Sequence, residues 1–325
     1  IRRMMNNTTF TAAVLGATGY TGQELVALLD RHARFHTAFV SSEAEAGNPA
    51  RGVQLTYVKA ADVPLDRVDV AFLCLPHGEA EGWALAARAA GAKVVDLSAD
   101  LRDGSHGAVY GLPELWREQV SAADLVANPG CYPTGVLLAL APLLKGGLLD
   151  GERTVIVNAA SGVTGAGRTA KRDLLFGEVA EDYRAYGVGN SHRHVPEIAR
   201  GLGAVKGSDV SFLFTPHLLP VRRGILETIY APVNDGVVAA DVVATWQAAY
   251  GDEPFVEVWR EGLPSLRATV HRNAVALGAA DVSGVSEPLV TIVASFDNLV
   301  KGAAGQALQN ANLMFGVCEH EGLPR

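Results

Sequence analysis

The sequence has few cysteines, no long apolar run and no basic cluster. Its three cysteines, Cys74, Cys131 and Cys318, are too few for a disulfide framework and lack metal-ligand spacing, so we expect a reducing cytoplasm and no metal site. No apolar run reaches bilayer length, and residues 1–10 lack the apolar segment of a secretory signal. The net charge of −8 is spread along the chain, which argues against nucleic-acid and membrane-surface binding.

Composition and periodicity predict two domains. The chain has 325 residues, of which 49% are hydrophobic. Strands are predicted at residues 11–15, 35–40, 68–75 and 93–97, with a helix at 23–29, which favours a Rossmann-type, doubly wound parallel sheet. After Cys131 the pattern changes to strands at 154–158, 210–214, 224–231 and 288–296 and a helix at 241–250, which is typical of an α+β domain with a mixed sheet. Residues 299–315 have helical spacing and are predicted to return to the first domain.

A glycine-rich turn follows the first predicted strand and opens a helix. Its sequence is Gly16-Ala17-Thr18-Gly19-Tyr20-Thr21-Gly22. Glycines at this spacing let backbone N–H groups approach a pyrophosphate, although a turn with packing duties alone is the alternative. The candidate dinucleotide ligands are therefore Gly16, Thr18, Gly19, Tyr20, Thr21 and Gly22.

Polar residues follow the next predicted strands. The second strand ends at Ser41 and Ser42, where an NAD site usually places a carboxylate; Glu43 comes slightly late, so we infer NADP(H) over NAD(H). Pro76 and His77 follow the most apolar strand and are candidate cofactor neighbours, although a solvated loop histidine is equally consistent. Arg102 is either a ligand of a substrate carboxylate or a partner of nearby acids.

A cysteine stands where a turn feeds a helix. The stretch is Asn128-Pro129-Gly130-Cys131-Tyr132-Pro133-Thr134, followed by an apolar helix predicted over residues 136–144. Helix N-termini favour thiolate over thiol, so Cys131 is a candidate nucleophile. The alternative is a small buried apolar residue, which is our interpretation of Cys74.

Two further segments carry polar groups in the second half. Residues 159–168 are predicted as a long glycine-rich loop that can present backbone donors to an anion. His192, Arg193 and His194 stand before a predicted helix and offer a general base and a guanidinium. A metal site lacks a third ligand at natural spacing, and a solvated helix end remains the simpler interpretation.

These motifs extend from Val14 to Gly316. Together, and in this order, they resemble those of the N-acetyl-gamma-glutamyl-phosphate reductase family, which is part of the aspartate-semialdehyde-dehydrogenase-like superfamily. The resemblance also includes Tyr110-Gly111-Leu112-Pro113-Glu114, Phe214-Thr215-Pro216-His217, Arg223-Gly224-Ile225-Leu226 and Asp297-Asn298-Leu299-Val300-Lys301-Gly302-Ala303-Ala304-Gly305-Gln306. It is weaker at residues 269–273, and the segment between Arg102 and Tyr110 is shorter than in many relatives.

The resemblance implies NADPH-dependent reduction of N-acetylglutamyl 5-phosphate through a thioester on Cys131, in arginine biosynthesis. It implies a histidine of the 192–194 cluster as acid/base; we favour His194, with His192 as a phosphate or thiolate neighbour, and their order stays open. It places Ser161, Gly162 and Asn298 at the nicotinamide end, and Arg102, Asn128, Arg168 and Arg193 with the substrate.

The same resemblance implies an NADP-binding domain of residues 1–130 with 299–325, and a catalytic and oligomerisation domain of residues 131–298. A homodimer or homotetramer is expected. The alternatives are a lysine-pathway paralogue with a substrate one methylene longer, and aspartate-semialdehyde dehydrogenase. Outside the oxidoreductases, the alternatives are a thiol hydrolase and an inactive NADP-binding regulator.

Overall fold

A computed structural model describes residues 8–325. The expectation of no secretory signal rests in part on residues 1–7, which lie outside the described residues. The chain divides into two compact units. Unit 1 runs up to Pro129 and includes Ala303–Leu323, and unit 2 comprises Gly130–Gly302 with Pro324–Arg325.

Unit 1 is built on a six-stranded parallel sheet of order β2-β1-β3-β4-β6-β5. Its strands are β1 (Phe10–Leu15), β2 (Phe35–Val40), β3 (Val70–Leu73), β4 (Lys93–Asp96), β5 (Val109–Tyr110) and β6 (Leu125–Ala127). Its helices are α1 (Tyr20–Leu29), α2 (Ala80–Ala89), α3 (Pro113–Ala122) and the last helix of the chain, α9 (Gly305–Met314). The predicted Rossmann-type sheet is confirmed.

The central strands of this sheet are apolar because both of their faces are covered. All four residues of β3 are buried, as are the last four of β1. The chain order reverses between β1 and β3, and in such sheets the crevice at the carboxyl ends of the strands at this point binds ligands.

The last helix belongs to unit 1 and packs against α1, α3 and β4. A π-helical turn, Val300–Ala304, leads into it. Asn128 Nδ2, beyond the carboxyl end of β6, donates to Ala303 O at 3.3 Å, whereas Lys93 Nζ, at the start of β4, donates to Met314 O at 3.1 Å. Helix α9 therefore runs antiparallel to the strands and begins at their carboxyl edge.

Unit 2 is built on a seven-stranded mixed sheet of order β11-β12-β13-β10-β7-β9-β8. Its strands are β7 (Val155–Gly162), β8 (Arg184–Ala185), β9 (Phe212–Leu219), β10 (Ile225–Pro232), β11 (Val256–Val258), β12 (Val275–Asp281) and β13 (Leu289–Phe296). Its helices are α4 (Cys131–Lys145), α5 (Phe176–Val179), α6 (Val195–Lys206), α7 (Ala239–Tyr250) and α8 (Leu266–Thr269). The predicted α+β unit with a mixed sheet is confirmed.

The glycine-rich loop predicted over residues 159–168 was wrong in its first part. Strand β7 continues to Gly162, because Ser161 pairs with Ile225 on one side and Leu218 on the other. Small residues that suggested a loop are instead accommodated inside the sheet. The chain leaves the strand in a 3₁₀ turn, Val163–Ala166.

Helix α4 is buried from Tyr132 to Leu143, as its apolar sequence predicts. Pro142 lies inside it and cannot donate to the carbonyl of Leu138, four residues earlier. The hydroxyl of Tyr250 on α7 donates to that carbonyl at 2.8 Å. The neighbouring helix thus supplies the hydrogen bond that proline removes, which lets α4 continue to Lys145.

Glu227 on β10 is a carboxylic acid in the core of unit 2. It is fully buried, and neither oxygen has a hydrogen-bond partner among residues 8–325. Its carboxyl occupies the space where a side chain at position 135 would lie, so Gly135 on α4 makes room for it. Burial raises the pKa of Glu227 well above its usual value, because a charge there would lose its hydration.

We expect Glu227 to make unit 2 less stable as the pH rises. Because the pKa of Glu227 is raised in the folded state, protonation of this group stabilises the folded state. The full contribution is present below the usual glutamate pKa. That contribution is lost between the usual and the folded pKa, by about 1.4 kcal/mol per pH unit. Glu227→Gln cannot titrate, so its free energy of unfolding is expected to fall less with pH. Urea denaturation at several pH values tests this, with exposed Glu118→Gln as the control; parallel curves for wild type and Glu227→Gln would contradict it.

Candidate active site

The glycine turn of unit 1 joins β1 to α1. Gly16 has φ +82°, and a Cβ there would overlap the carbonyl oxygen of Cys74. A Cβ on Gly22 would lie 2.5 Å from Gly16 O. Packing therefore requires glycine at both positions. At Gly19, the N-cap of α1, the nearest atom would be 3.7 Å away, so packing does not exclude a side chain there.

Among residues 8–325, no side-chain hydrogen bond caps the start of α1 at Gly19. Such a helix N-terminus is a binding site for the pyrophosphate of a dinucleotide. Thr18, Tyr20 and Thr21 lie in the same turn and are partly exposed. The residues of this turn therefore fit a dinucleotide cofactor.

Ser41 and Ser42 follow β2 and hold this turn. Both are buried; Gly16 N donates to Ser41 Oγ at 3.1 Å, and Ser42 Oγ lies 3.2 Å from Thr18 Oγ1. Glu43, the carboxylate expected to select NAD if it faced the ribose, accepts a hydrogen bond from Ala60 N at 3.0 Å. At the end of β2 the two serine hydroxyls are therefore buried and hydrogen-bonded, and the Glu43 carboxylate is bonded to the backbone of Ala60.

The loops after β3 and β4 are tied together. Ala99 N donates to His77 Nδ1 at 2.9 Å, which leaves the Nε2 of this exposed ring to carry the proton of its neutral form. Asp100 accepts from Gly78 N and Ala80 N at 2.7 and 2.9 Å. The structure thus fixes the orientation of His77 beside exposed Pro76 at the carboxyl edge of the sheet.

Arg102 hydrogen-bonds to the residues that directly follow β4 and β6. It is buried, and its Nε and Nη2 donate to Asn128 O at 2.9 Å and to Leu97 O at 3.1 Å. Asn128 is also buried and accepts from Asn310 Nδ2 at 3.0 Å. These two predicted substrate residues are therefore adjacent. The shortened segment that follows Arg102 forms a surface 3₁₀ turn, Ser105–Gly107.

In unit 2, Cys131 is the first residue of α4 and is partly buried. The preceding residue is held in place, because Gly130 N donates to Glu197 Oε1 at 2.8 Å and Gly130 O accepts from Thr134 Oγ1 at 3.0 Å. A Cβ on Gly302 would lie 3.0 Å from the Cβ of Cys131. Glycine at this position lets the π-helical turn approach the cysteine closely, and the dipole of α4 favours the thiolate.

The two histidines of the 192–194 cluster lie together in unit 2. Their ring centroids are 4.8 Å apart, and the ring of Tyr132 lies 5.6 Å from His192 and 5.9 Å from His194. His194 is buried at the start of α6, and its backbone N donates to His192 Nδ1 at 3.1 Å. Burial and then the charge of Arg193 lower the pKa of His192 to about 4. His192 is therefore neutral at neutral pH, with Nε2 carrying its proton.

The remaining predicted residues of unit 2 are distributed between the core and the surface. Ser161 and Gly162 end β7 and are buried, whereas Arg168 and Arg193 are exposed. Asn298 is buried; its Nδ2 donates to Thr164 Oγ1 at 2.9 Å and its Oδ1 accepts from Gly224 N at 2.8 Å. Asn298 thus ties the turn after β7 to the start of β10.

The segment of weakest family resemblance lies beside Asp297. His271 in this segment has φ +70°, and its backbone N donates to Asp297 Oδ2 at 2.8 Å. Arg223 Nη1 lies 3.4 Å from the same oxygen. Asp297, which directly precedes Asn298, therefore joins this segment to Arg223.

Sequence reasoning missed several residues that the structure brings together. Tyr132 stood inside the Cys131 stretch and Glu197 stood three residues after His194, but neither received a role. Tyr186 lies in a stretch without periodicity, and its ring reaches to 5.6 Å from that of His192. Gly302 stood inside the motif that runs from Asp297 to Gln306, without a role of its own. Only the paired positions in the tertiary structure identify the last two.

Two known domain families match most of the chain. Residues 11–123 match the semialdehyde dehydrogenase NAD binding domain, and residues 131–298 match the semialdehyde dehydrogenase dimerisation domain. Among solved structures, aspartate semialdehyde dehydrogenase II from Vibrio cholerae has a TM-score of 0.79 at 20% identity, covering 95% of this chain and 99% of that one. The aspartate semialdehyde dehydrogenase with NADP from Candida albicans has a TM-score of 0.73 at 16% identity, with the same coverage. These structural likenesses establish the fold.

Similarity to curated proteins is higher. N-acetyl-gamma-glutamyl-phosphate reductase from Citrifermentans bemidjiense is 44% identical, covering 96% of this chain and 97% of that protein. The protein of the same name from Moorella thermoacetica is 43% identical, covering 95% and 96%. Within residues 8–325, no helix combines the length and the apolarity needed to cross a bilayer. The chain belongs to the N-acetyl-gamma-glutamyl-phosphate reductase family.

Proposed function

We propose that this chain reduces N-acetyl-L-glutamyl 5-phosphate to N-acetyl-L-glutamate 5-semialdehyde, with release of phosphate, through a thioester on Cys131 in L-arginine biosynthesis. The observation that carries the covalent step is Cys131 as the first residue of the buried helix α4, in a chain 44% identical to a reductase of that name. A thiolate at a helix N-terminus is a nucleophile, and an acyl phosphate has a good leaving group.

In the first step, the Cys131 sulfur forms a bond to the acyl carbon while the bond from that carbon to the phosphate oxygen breaks. Phosphate leaves with the electron pair of the broken bond. Bound NADPH supplies the hydride that reduces the thioester carbonyl. The resulting thiohemiacetal then collapses to the aldehyde and returns the thiolate, which requires a group that holds and moves a proton.

We assign that proton transfer to His194 and place His192 beside it as a neutral neighbour. The support is the lowered pKa of His192, about 4 through burial and the charge of Arg193, because such an imidazole is a weak base at neutral pH. In addition, the Nδ1 of His192 already accepts the backbone N–H of His194.

The NADP(H) ligands are proposed in both units. In unit 1 they are the turn from Gly16 to Gly22, with Thr18, Gly19, Tyr20 and Thr21, together with Ser41, Ser42, Pro76 and His77. The bond of the Glu43 carboxylate to Ala60 N, away from a ribose, supports NADP(H) over NAD(H). In unit 2 we propose Ser161, Gly162 and Asn298 toward the nicotinamide end. The hydrogen bonds of Asn298 to Thr164 and Gly224 give that part of unit 2 a fixed shape.

The substrate is an anion, and four residues are proposed to bind it. Arg168 and Arg193 are exposed cations of unit 2. Arg102 and Asn128, at the carboxyl edge of the unit 1 sheet, form a buried hydrogen-bonded pair. Guanidinium groups suit both the carboxylate and the phosphate of the substrate.

We also propose which residues bind the cofactor, which carry catalysis and which form the oligomer. Residues 1–130 with 299–325 bind NADP, and residues 131–298 carry catalysis and assemble a homodimer or homotetramer through the mixed sheet. The match of residues 131–298 to a dimerisation domain supports the assembly. A cytoplasmic location follows from the same proposal, because the reaction needs Cys131 as a free thiol.

The reaction measured in reverse tests the assignment. Reduction of NADP is followed by its absorbance with N-acetylglutamate semialdehyde and phosphate, beside the semialdehyde one methylene longer and aspartate semialdehyde. We expect a clear preference for the first. Since one methylene is worth about 1–3 kcal/mol in a pocket, the difference in kcat/KM is measurable. Preference for another substrate would change the pathway, and no phosphate-dependent reduction with any would overturn the proposed function.

A further inference from the structure

The side chain of Asn190 is hydrogen-bonded to the edge of β9. Strand β8 is two residues long and pairs with the second half of β9. The first half is bonded to the amide of Asn190, whose Nδ2 donates to Phe212 O at 2.9 Å and whose Oδ1 accepts from Phe214 N at 2.7 Å. A side-chain amide carries the same donor and acceptor as a peptide unit. Asn190 therefore takes the place of a strand residue at this edge.

The backbone of this part of the chain favours asparagine at position 190. Asn190 has φ +58°, in the left-handed region that glycine and asparagine adopt more readily than other residues. Gly187 and Gly189, just before it, have φ +53° and +73°. A third glycine would fit the backbone at position 190 but would lack the amide, and an aspartate carboxylate would lack the donor. Asparagine combines the required φ with both hydrogen-bonding groups.

Residues 187–194, called the histidine segment below, contact β9 a second time through His192. The ring of His192 lies 5.6 Å from the rings of Phe214, Tyr132 and Tyr186. Phe214 is fully buried. Its backbone N–H thus holds Asn190 while its ring packs against His192, two residues further along. Two contacts at different points of the segment fix both its position and its direction on β9.

The position of His192 in turn determines that of His194. His192 Nδ1 accepts from His194 N at 3.1 Å, and His192 O accepts from Val195 N at 3.0 Å. The two histidine rings are 4.8 Å apart. His194 is buried at the start of α6, so its ring has little freedom to compensate for a displaced neighbour. A shift of the histidine segment along β9 therefore moves both imidazoles.

We propose that Asn190 is a positioning residue for proton transfer: its amide holds the histidine segment against β9 and thereby sets the orientation of His194. This inference rests on the proposed function, in which His194 moves the proton. Asn190 acts through the segment and contacts neither substrate nor cofactor. The effect on rate follows because a catalytic group misplaced by about 1 Å can lower the rate about 100-fold.

Substitutions that keep the backbone conformation test the inference. Asn190→Gly retains the positive φ and removes both hydrogen bonds. It is expected to lower kcat by about tenfold, with KM for N-acetylglutamate semialdehyde and the Kd for NADPH within about threefold of wild type. Asn190→Asp keeps the acceptor for Phe214 N but loses the donor to Phe212 O, so we expect an intermediate loss. The matched control is Glu181→Gly, because Glu181 is exposed and also has a positive φ, +63°. It is expected to retain full activity.

Titration of His192 by NMR separates positioning from a general loss of stability. In wild type, burial and then the charge of Arg193 lower the pKa of His192 to about 4. Release of the segment in Asn190→Gly is expected to expose this ring to water and to raise its pKa toward the ordinary value of 6.5. The His192 resonance is assigned by its absence from the spectrum of His192→Asn. A substitution that only destabilised unit 2 would lower the melting temperature and leave this pKa unchanged.

Three results would each overturn the inference. They are a kcat of Asn190→Gly within about twofold of wild type, a His192 pKa that stays at its wild-type value in this variant, and an equal loss of kcat in Glu181→Gly. Absence of phosphate-dependent reduction by the wild type would instead overturn the proposed function. The titration needs no substrate, so the two failures are distinguishable.

Discussion

Cys131→Ser is expected to abolish turnover while NADPH binding stays within about twofold of wild type. A serine hydroxyl at the N-terminus of α4 remains protonated at neutral pH, whereas the helix dipole favours the thiolate of cysteine. Loss of a catalytic nucleophile can lower kcat by about a million-fold. The turn that we propose to bind NADPH lies in unit 1 and the cysteine in unit 2, so the substitution leaves the turn itself unchanged.

Steady-state assays with N-acetylglutamate semialdehyde, and NADPH titrations followed by fluorescence, measure the two effects separately. Cys318→Ser is the matched control, because Cys318 is exposed and lies in unit 1. We expect this control to retain full activity. Normal turnover by Cys131→Ser would exclude the covalent mechanism, and a parallel loss of NADPH binding would point to a structural role for the thiol.

His194→Asn is expected to have the second largest effect, a decrease of kcat by about 100-fold to 10,000-fold. Asparagine keeps a hydrogen-bonding group at the start of α6 but cannot take up a proton. His194 is buried in the ring cluster of unit 2, with 5.9 Å between its ring centroid and that of Tyr132.

The matched comparison is His192→Asn. Burial and the Arg193 charge lower the pKa of His192 to about 4, so it is neutral across the range in which the enzyme is assayed. Its removal is therefore expected to leave the pH dependence of kcat unchanged near neutrality, with a smaller loss of rate. If His192→Asn loses the larger part of the activity and alters the pH profile while His194→Asn does not, the acid/base role belongs to His192.

The resemblance of motifs in order was sufficient to identify the family, and apolar runs were sufficient to predict most elements. Strand β2 has the predicted ends, residues 35–40, because Arg34 and Ser41 flank a short run of mostly apolar residues. Strand β7 was misjudged beyond Asn158 because small residues are equally typical of loops. Its true end depends on pairing with β9 and β10, which lie far along the chain.

The sequence by itself determined the local features on which the proposed chemistry rests: a glycine turn after a first strand, a cysteine opening an apolar helix, and a histidine pair before another helix. These signals are local, since a turn, a helix end and a hydrophobic period are set by neighbouring residues. Only the tertiary structure decided which distant residues support them. Gly302 lies close to Cys131 because it has no side chain. Glu197 accepts a hydrogen bond from Gly130 N, and the hydroxyl of Tyr186 lies beside that of Tyr132. Such pairs depend on close packing between segments far apart in the chain, which no local pattern specifies.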